Sequence, residues 1–510
     1  MSKLLGKVGR AARFFNEFDV CNYATRLGQL HVDLVGYRHD EVGYGHDEPE
    51  GMGGCTVKRR PDLPLAGQSA DPLRSVPRVN IARSHVRSLR YRVLYAASVF
   101  FVLHSMSALG IIDRTIYGGW YGKTGDKITE TLNLLNIFVS LILFWSGTRL
   151  KIAGFNQILS LAAASLLLIT VLWSLDPHLT LTQGTAYFCV VLGAIGLAET
   201  FDSDELMNLI ALICGLAAVA SVVQFPGQRE FQGIFSGKNE LGQVMAAGVL
   251  TGLHCAQIRG VRRFRNICTI ALCTIVAFMS KSATSLLVIA VFFWLGILGR
   301  IYLKGGVFRI VSICLAIGCV PIVIFVMYSD LIFEVFGKDT SLTGRTLFWP
   351  YVIDNIIKKP LLGWGFYGFW SPRNPIALQI AEEIRGDNYG IFYIVNAHNT
   401  LLEFLLEIGF LGTSVFIFLW LRNFIMAVKC MNGPAGRIGL SSVLLLTGIL
   451  VIGVSETVLL SHEQIWTSLF FIMGFMCEKK LWLARAARRQ GRPRPRSTLA
   501  AIATSRSAIM

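Results

Sequence analysis

The chain has 510 residues, of which 53% are apolar and only 16% charged, and its mean hydropathy is +0.54. This composition excludes an ordinary soluble globular protein. The net charge of +16 would suit a nucleic-acid-binding protein, but the distribution of Lys and Arg along the chain indicates membrane topology instead.

From about residue 93 onwards, successive apolar runs are long enough to cross a hydrocarbon core of about 30 Å. They predict an all-α, polytopic integral membrane protein with about twelve transmembrane helices and no internal repeat. A polar, aromatic-rich loop, 329–398, interrupts the series. The predicted spans are 93–112, 132–148, 155–174, 184–199, 206–225, 240–257, 266–280, 285–300, 309–328, 400–421, 440–460 and 464–478.

The basic residues favour one orientation of these spans. With the N-terminus inside, about three quarters of the Lys and Arg residues fall in cytoplasmic segments, and half of the remainder fall in the large loop. This positive-inside pattern predicts that both termini are cytoplasmic and that the loop is outside. The basic tails are also expected to contact anionic lipid.

The domain organisation follows from the same pattern. The N-terminal region has no signal peptide and is expected to be largely disordered. Its first fifteen residues suit either a basic amphipathic helix on the membrane or a poorly ordered tail. The three predicted regions are a cytoplasmic N-terminal region 1–92, a transmembrane domain 93–478 and a basic cytoplasmic tail 479–510.

No metal site is predicted. None of the eleven cysteines falls in a segment placed outside, and no Cys-x-x-Cys pair occurs, which supports neither a disulfide framework nor a zinc site. Three histidines of the N-terminal region, His31, His39 and His46, lie among acidic residues. They could bind a metal ion, and the alternative is that they belong to a solvated polar stretch.

Arg345 is a candidate anion-binding residue of the large loop. Thr343 is expected to cap a helix that runs to about residue 357. Arg345 would then lie in the first turn, beside exposed N–H groups and the positive end of the helix dipole, a combination that suits a phosphate. The alternative is an ion pair with Asp339 or Asp354.

After Pro360 the loop reads Leu-Leu-Gly-Trp-Gly-Phe-Tyr-Gly-Phe-Trp. The glycines allow sharp backbone turns, and Trp364, Tyr367 and Trp370 have flat faces and polar edges that suit sugar rings. The alternative is a cluster of aromatic residues of the kind common at membrane interfaces.

His398 lies just where the next apolar run begins, with Asn399 or Asn396 as the expected helix cap. A neutral imidazole at this position could act as a base, and a simple interfacial cap is the alternative. Glu403 and Glu407 follow on one face of an otherwise apolar helix. Carboxylates at membrane depth face the protein interior or a wet cavity and need partners.

Two lysines lie near predicted helix ends on the same side of the membrane as Arg345. Lys238 precedes one helix, and Lys281 is the only charge of a short hairpin between two others. Lys281 either extends to lipid phosphates or joins Arg345 and Lys238 in one positive cluster. On the same side of the membrane, the segment 173–177 is expected to end the third predicted helix and to place Trp173 at the membrane interface.

In chain order, these motifs resemble the bacterial O-antigen ligase and polysaccharide polymerase family, and most closely its exopolysaccharide-polymerase branch. The matching residues are Trp173-Ser174-x-Asp176-Pro177, Gly237-Lys238-Asn239-x-x-Gly242, Ser280-x-Ser282, Gly344-Arg345-Thr346-x-x-Trp349, Pro360-Leu361-Leu362-Gly363-x-Gly365, and Ala397-His398-Asn399-x-x-Leu402-Glu403 with Gly409.

The resemblance implies a GT-C-type glycosyltransferase of the bacterial inner membrane, with the large loop periplasmic. It implies an undecaprenyl-diphosphate-linked oligosaccharide as donor, and neither metal nor cofactor. Arg345 would bind the diphosphate and take part in catalysis, His398 would activate the acceptor hydroxyl, and Lys281 and Lys238 would help to bind the diphosphate. The expected glycan contacts are Trp364, Tyr367, Trp370 and Glu403.

One departure from the family pattern concerns the short hairpin. The family often has Ser-Arg where this chain has Ser282-Ala283. Lys281 could supply the charge from a shifted position, but an ammonium group cannot reproduce the bidentate contact of a guanidinium.

The sequence therefore predicts an exopolysaccharide polymerase that transfers glycan onto a lipid-linked oligosaccharide repeat unit. An O-antigen ligase that transfers glycan to lipid A-core is the alternative. Few charges lie within helices and no inverted repeat is evident, which argues against a transporter of polysaccharide or lipid-linked sugar. The expected partners are the lipid-linked donor, membrane lipids and other polysaccharide export and chain-length proteins, without nucleic acid.

Overall fold

The computed structural model describes residues 79–108, 123–148, 154–224, 231–257, 261–302, 345–385, 396–433 and 435–489. These residues form thirteen α-helices and one 3-10 turn, and none of them lies in a strand. The helices are α1 (Val79–Ser105), α2 (Lys123–Thr148), α3 (Phe155–Ile169), α4 (Pro177–Thr200), α5 (Ser203–Gln224), α6 (Lys238–Cys255), α7 (Val261–Met279), α8 (Ala283–Tyr302), α9 (Arg345–Lys358), α10 (Pro375–Arg385), α11 (Thr400–Met431), α12 (Gly436–Gly453) and α13 (Ile465–Arg489).

The predicted all-α membrane fold is confirmed. Within the described part of the chain, six helices are long and apolar enough to cross a membrane, and α8 contains a shorter apolar stretch. The predicted span 309–328 lies outside the described residues, so the total of about twelve spans stays a prediction. The six spans are Glu130–Thr148, Phe155–Leu172, Pro177–Thr200, Ser203–Gln224, Thr400–Met431 and Gly436–Gly453.

Several helix ends differ from the predicted spans. Helix α1 begins at Val79 and α13 continues to Arg489, so the predicted domain boundaries at 92 and 478 fall inside helices. Helices can extend beyond the hydrocarbon core, where polar side chains reach water. Helix α12, in contrast, ends at Gly453 and not near 460. The polar sequence Ser455-Glu456-Thr457 follows it in a non-helical segment, 454–464.

The core of the helical bundle surrounds α6, in which nearly every residue from Leu241 to Cys255 is buried. Helices α5, α7, α8 and α12 pack around it. Elsewhere, α2 and α4 approach backbone to backbone at Gly196, where a Cβ atom would lie 2.3 Å from the carbonyl carbon of Leu143. Small residues permit such close contact between membrane helices, which gain stability from packing.

Helix α11 is interrupted at Gly409, where φ is 65° and ψ is −171°. The backbone groups that the interruption exposes pair with the loop segment 360–365. The N–H groups of Trp364 and Gly365 donate to the carbonyls of Leu406 and Glu407 at 2.9 and 2.8 Å. In return, the carbonyls of Pro360 and Leu361 accept from Phe410 and Leu411 at 2.7 and 3.2 Å. The loop therefore satisfies backbone groups inside a membrane-spanning helix, as burial in lipid requires.

The described part of the large loop has a small apolar core of its own. The core joins α9, the aromatic residues Trp364 and Phe369, and α10 to the start of α11, and so fixes the loop against the residues around His398. Its buried members are Val352, Trp364, Phe369, Ile380, Ala397 and Leu406.

Candidate active site

His398 lies in a tight turn directly before α11. Of the two predicted caps, Asn399 is the N-cap, because its Oδ1 accepts the N–H of Leu402 at 3.1 Å. Asn396 instead accepts the backbone N–H of His398 at 2.8 Å. The φ of His398 is +49°, in the left-handed region that non-glycine residues adopt mainly where surrounding contacts enforce it.

The turn is also fixed by Glu403, one turn into α11. Its carboxylate accepts the backbone N–H of Ala397, and the side chain is buried, with 2% exposure. This hydrogen bond orients the residue that precedes His398. Contact of Glu403 with glycan stays a prediction.

The side chain of His398 faces the carboxylate of Glu456, which is not among the predicted site residues. Its Nδ1 lies 3.3 Å from Oε2 of Glu456, and the two side chains are 32% and 12% exposed. Asn239, in the first turn of α6, donates from Nδ2 to the other oxygen, Oε1, at 2.8 Å. Because a carboxylate accepts hydrogen bonds, this pairing favours the tautomer with a proton on Nδ1 and a lone pair on Nε2.

Segment 454–464, which carries Glu456, is bonded to the His398 turn along its backbone. Thr400 Oγ1 donates to the Glu456 carbonyl at 2.9 Å and accepts the N–H of Val458 at the same distance. Asn399 Nδ2 donates to the carbonyl of Val454 at 3.1 Å. The imidazole and the carboxylate therefore lie on two mutually anchored segments.

The two predicted lysine sites adjoin the same segment. Lys238 is the first residue of α6 and precedes Asn239, the residue that contacts Glu456. Lys281 is exposed at the tip of the hairpin between α7 and α8, with φ at +53°. That hairpin is tied to segment 454–464 by Thr284, whose Oγ1 lies 2.7 Å from Oγ of Ser455.

The hairpin and the start of α6 are also in direct contact. A Cβ atom on Gly242 would lie 2.5 Å from Oγ of Ser285 and 2.9 Å from Cβ of Ser282. The glycine of the Gly237-Lys238-Asn239-x-x-Gly242 motif is therefore required for the close approach of the Ser280-x-Ser282 motif.

Arg345 is the first residue of α9, but its side chain lies outside the described residues, as do Thr343 and Asp339. One turn later, Trp349 donates from Nε1 to the carbonyl of Ala397 at 3.0 Å. The start of α9 therefore lies beside the His398 turn, since residues four apart are neighbours on one face of a helix.

The aromatic candidates differ in their surroundings. Trp364 is 8% exposed, donates to the carbonyl of Asn355 at 2.9 Å and packs edge-on against Phe369. Lys359 Nζ lies 4.1 Å from the centroid of the Trp364 ring. Trp364 thus packs inside the loop. Tyr367 and Trp370 are only partly buried.

The motif at 173–177 does more than stop a helix. Asp176 caps α4 by accepting a hydrogen bond from the N–H of Leu179. Its carboxylate also accepts a hydrogen bond from Oγ of Ser371 at 2.7 Å and forms an ion pair with Arg373 at 3.4 Å. Burial alone would raise the pKa of Asp176, but these hydrogen bonds and the Arg373 charge hold it below its usual value. Trp173 Nε1 donates to the carbonyl of Leu362 at 3.1 Å. The motif therefore attaches the loop to the helical bundle.

Comparisons with known proteins give two matches to this chain. Residues 268–417 match the family described as O-antigen ligase. Over 270 residues the chain is 28% identical to the exopolysaccharide production protein ExoQ of Rhizobium meliloti (strain 1021). That alignment covers 48% of this chain and 59% of the relative, so it spans about three fifths of that protein's length.

The family resemblance is confirmed.

The O-antigen ligase match extends from α7 through the α7–α8 hairpin that carries Lys281 (the lysine hairpin), the large loop and the His398 turn to the first part of α11. It includes Lys281, Arg345 and His398. Two other parts of the candidate site, Asn239 and Glu456, lie outside the matched residues, and the fold brings them to the His398 turn.

Glu456 is not among the predicted site residues, because it falls inside the predicted span 440–460. The available signal was the polar triplet Ser455-Glu456-Thr457 within an apolar run. A carboxylate at predicted membrane depth is a functional candidate in its own right.

The structure contains no group of three or more His, Cys, Asp and Glu side chains, among the residues it describes, that could hold a metal ion. The N-terminal histidines considered above, His31, His39 and His46, lie outside the described residues.

Proposed function

We propose that this protein is a membrane glycosyltransferase that polymerises exopolysaccharide from an undecaprenyl-diphosphate-linked donor, with His398 as the general base. The observation that carries the proposal is the pairing of His398 with Glu456 directly in front of a helix N-terminus. Lys238 and Lys281 lie on elements that are hydrogen-bonded to segment 454–464 through Asn239 and Thr284. A base and fixed cations are what transfer from a diphosphate donor to a hydroxyl requires.

The reaction joins the acceptor oxygen to the anomeric carbon of the donor glycan. His398 Nε2 takes the proton of the acceptor hydroxyl as the new carbon–oxygen bond forms. The bond between the anomeric carbon and the diphosphate oxygen breaks, and its electron pair leaves with the diphosphate. Arg345, Lys238 and Lys281 stabilise the negative charge that grows on this leaving group.

The membrane setting suits such a donor. Its polyisoprenoid chain lies in the bilayer between helices, and its sugars extend into the large loop. We assign glycan contact to Tyr367 and Trp370, which keep part of their surface exposed. Trp364 is less suited to this role, because its ring is buried within the loop.

The same proposal places both termini in the cytoplasm of a bacterial inner membrane and the large loop in the periplasm. The positive-inside distribution of Lys and Arg supports this orientation. It puts the His398 turn, the lysine hairpin and segment 454–464 at the periplasmic ends of their helices.

The second candidate is an O-antigen ligase that moves a finished glycan from the same kind of donor to lipid A-core. The family description of residues 268–417 favours it. The Rhizobium relative, an exopolysaccharide production protein, favours the polymerase. The two functions differ in acceptor, whereas their donor chemistry is shared.

A reconstituted reaction tests the enzymatic proposal. Purified protein is incubated with a synthetic lipid-diphosphate oligosaccharide, with and without EDTA, and products are separated by length. We expect longer lipid-linked chains under both conditions. Products formed only without EDTA would refute the metal-independent mechanism, and a lack of any chain extension would refute the polymerase.

Deletion of the gene separates polymerase from ligase. The polymerase predicts loss of long exopolysaccharide while lipopolysaccharide stays intact, and the ligase predicts the reverse. Complementation with His398→Ala or Arg345→Ala should restore protein level but not the polymer. Full complementation by either variant would remove that residue from the mechanism.

A further inference from the structure

We propose that Glu456 is the positioning residue of His398, and that Asn239 holds Glu456 in that role; the inference rests on the proposed function of His398. Glu456 has a partner at each carboxylate oxygen. Oε2 lies 3.3 Å from Nδ1 of His398, and Oε1 accepts from Nδ2 of Asn239 at 2.8 Å. The carboxylate is therefore oriented by side chains from two different elements.

The surroundings of Glu456 strengthen this contact. Its side chain is 12% exposed, compared with 32% for His398, so the carboxylate is the less hydrated partner. Charge interactions strengthen as water is excluded, and a buried carboxylate requires hydrogen-bond donors. The backbone carbonyl of Glu456 also accepts a hydrogen bond from Oγ1 of Thr400, and this bond limits movement of the Glu456 backbone relative to the His398 turn.

The chemical consequence concerns the two ring nitrogens of His398. A carboxylate opposite Nδ1 selects the tautomer that keeps the proton on Nδ1 and the lone pair on Nε2. When Nε2 accepts the proton of the acceptor hydroxyl, the ring becomes an imidazolium, and the negative charge of Glu456 stabilises it. Glu456 acts through His398 and need not touch substrate.

Asn239 gives this arrangement a link to the donor site. The side-chain amide of Asn239 donates to Oε1 of Glu456, and this bond orients the other oxygen, Oε2, towards His398. Because Asn239 directly follows Lys238, the first turn of α6 contributes both to the orientation of the base and to the proposed diphosphate site.

The test compares Glu456→Gln with the unmodified protein in the reconstituted polymerisation reaction. The variant keeps the shape of the side chain but removes its charge. We expect kcat to fall roughly 10- to 100-fold, with KM for the donor nearly unchanged. Glu240→Gln is the matched control. Glu240 lies one residue from Asn239, but its carboxylate accepts from Ser236, so wild-type kcat is expected.

Nitrogen NMR of ¹⁵N-histidine-labelled protein supplies a readout that a merely structural role would not change. The His398 signals are identified by their absence in His398→Gln. We expect the Nδ1–H tautomer in the unmodified protein and an increased Nε2–H fraction in Glu456→Gln. Glu456→Asp, which retains the charge, should recover part of the lost kcat.

Wild-type kcat in Glu456→Gln, or an unchanged His398 tautomer, would overturn the proposal. If Glu456→Gln does not fold, Asn239→Ala decides the matter, since it leaves the carboxylate in place. A smaller loss of kcat, with the same tautomer shift, is then expected, and wild-type values would overturn the proposal. An inactive unmodified protein would refute the proposed function, while the tautomer comparison would still test the Glu456–His398 contact.

Discussion

Gly363 of the large loop and Gly409 of α11 meet backbone to backbone. A Cβ atom on Gly363 would lie 2.6 Å from the amide nitrogen of Gly409, and a Cβ on Gly409 would lie 2.4 Å from the carbonyl carbon of Leu361. This contact allows segment 360–365 to pair with the interrupted helix, and so fixes the loop close to the His398 turn.

Gly409→Ala is expected to lower the free energy of unfolding by about 3 kcal/mol or more, because its φ and ψ are almost exclusive to glycine and the new Cβ would overlap the loop backbone. Thermal unfolding in detergent measures the change. Gly296→Ala is the control. The nearest contact of its Cβ is Leu444 at 4.0 Å, so it should be neutral or stabilise α8 by up to about 1 kcal/mol. Equal effects of the two substitutions would contradict this account.

Trp349→Phe is expected to reduce polymerisation and to destabilise the loop by about 1 kcal/mol. The substitution removes the Nε1 donor to the carbonyl of Ala397 and keeps an aromatic ring at this position. Activity assays and unfolding in detergent measure both effects. Trp145→Phe, at a ring that is 64% exposed on α2, should change neither. Unchanged activity in Trp349→Phe would show that this bond does not position the His398 turn.

The attachment of the loop by Asp176 predicts a pH-dependent stability. The pKa of Asp176 is held below its usual value, so its contribution is present above the pKa of an unfolded aspartate, about 4, and is lost as pH falls through the lower folded value. The unfolding temperatures of the unmodified protein and Asp176→Asn should therefore differ at pH 7 and converge towards pH 3. A difference independent of pH would contradict the role of the charge.

The lysine hairpin predicts a specific defect in donor binding. Lys281→Ala should raise KM for the lipid-diphosphate donor roughly tenfold, as expected for loss of one charged contact. Lys238→Ala should act in the same direction. Lys429→Ala, in the last turn of α11 and far along the helix from His398, is the matched control and should leave KM unchanged. An unaltered KM in the Lys238 and Lys281 double variant would remove both residues from the donor site.

Local sequence patterns predicted the features that depend on neighbouring residues. The apolar runs located the membrane helices, because backbone groups in lipid must be paired within a segment and long apolar runs are the result. The cap at Asn399 was one of two expected from the local pattern, and its bond to Leu402 distinguishes it from Asn396. The role of Arg345 stays a prediction, since its side chain is outside the described residues.

Features that depend on distant segments were not predicted. Glu456 lies 58 residues from His398 in the chain, and the apolar window that contains it indicated only a helix. The local sequence predicts Trp364 as a glycan contact, whereas its burial follows from packing against Phe369 and the hydrogen bond to Asn355. Composition and spacing carry no information about which of several similar helix ends come together.

Local patterns along the chain are sufficient to predict an all-α membrane protein with a large polar loop, and short motifs carry the family resemblance. The pairing of the loop with α11 at Gly409 and the contact of Glu456 with His398 become visible in the folded chain alone. The physical reason is that apolar helices are specified by local composition. Contacts between their ends depend on close packing and on hydrogen bonds between segments remote in the chain.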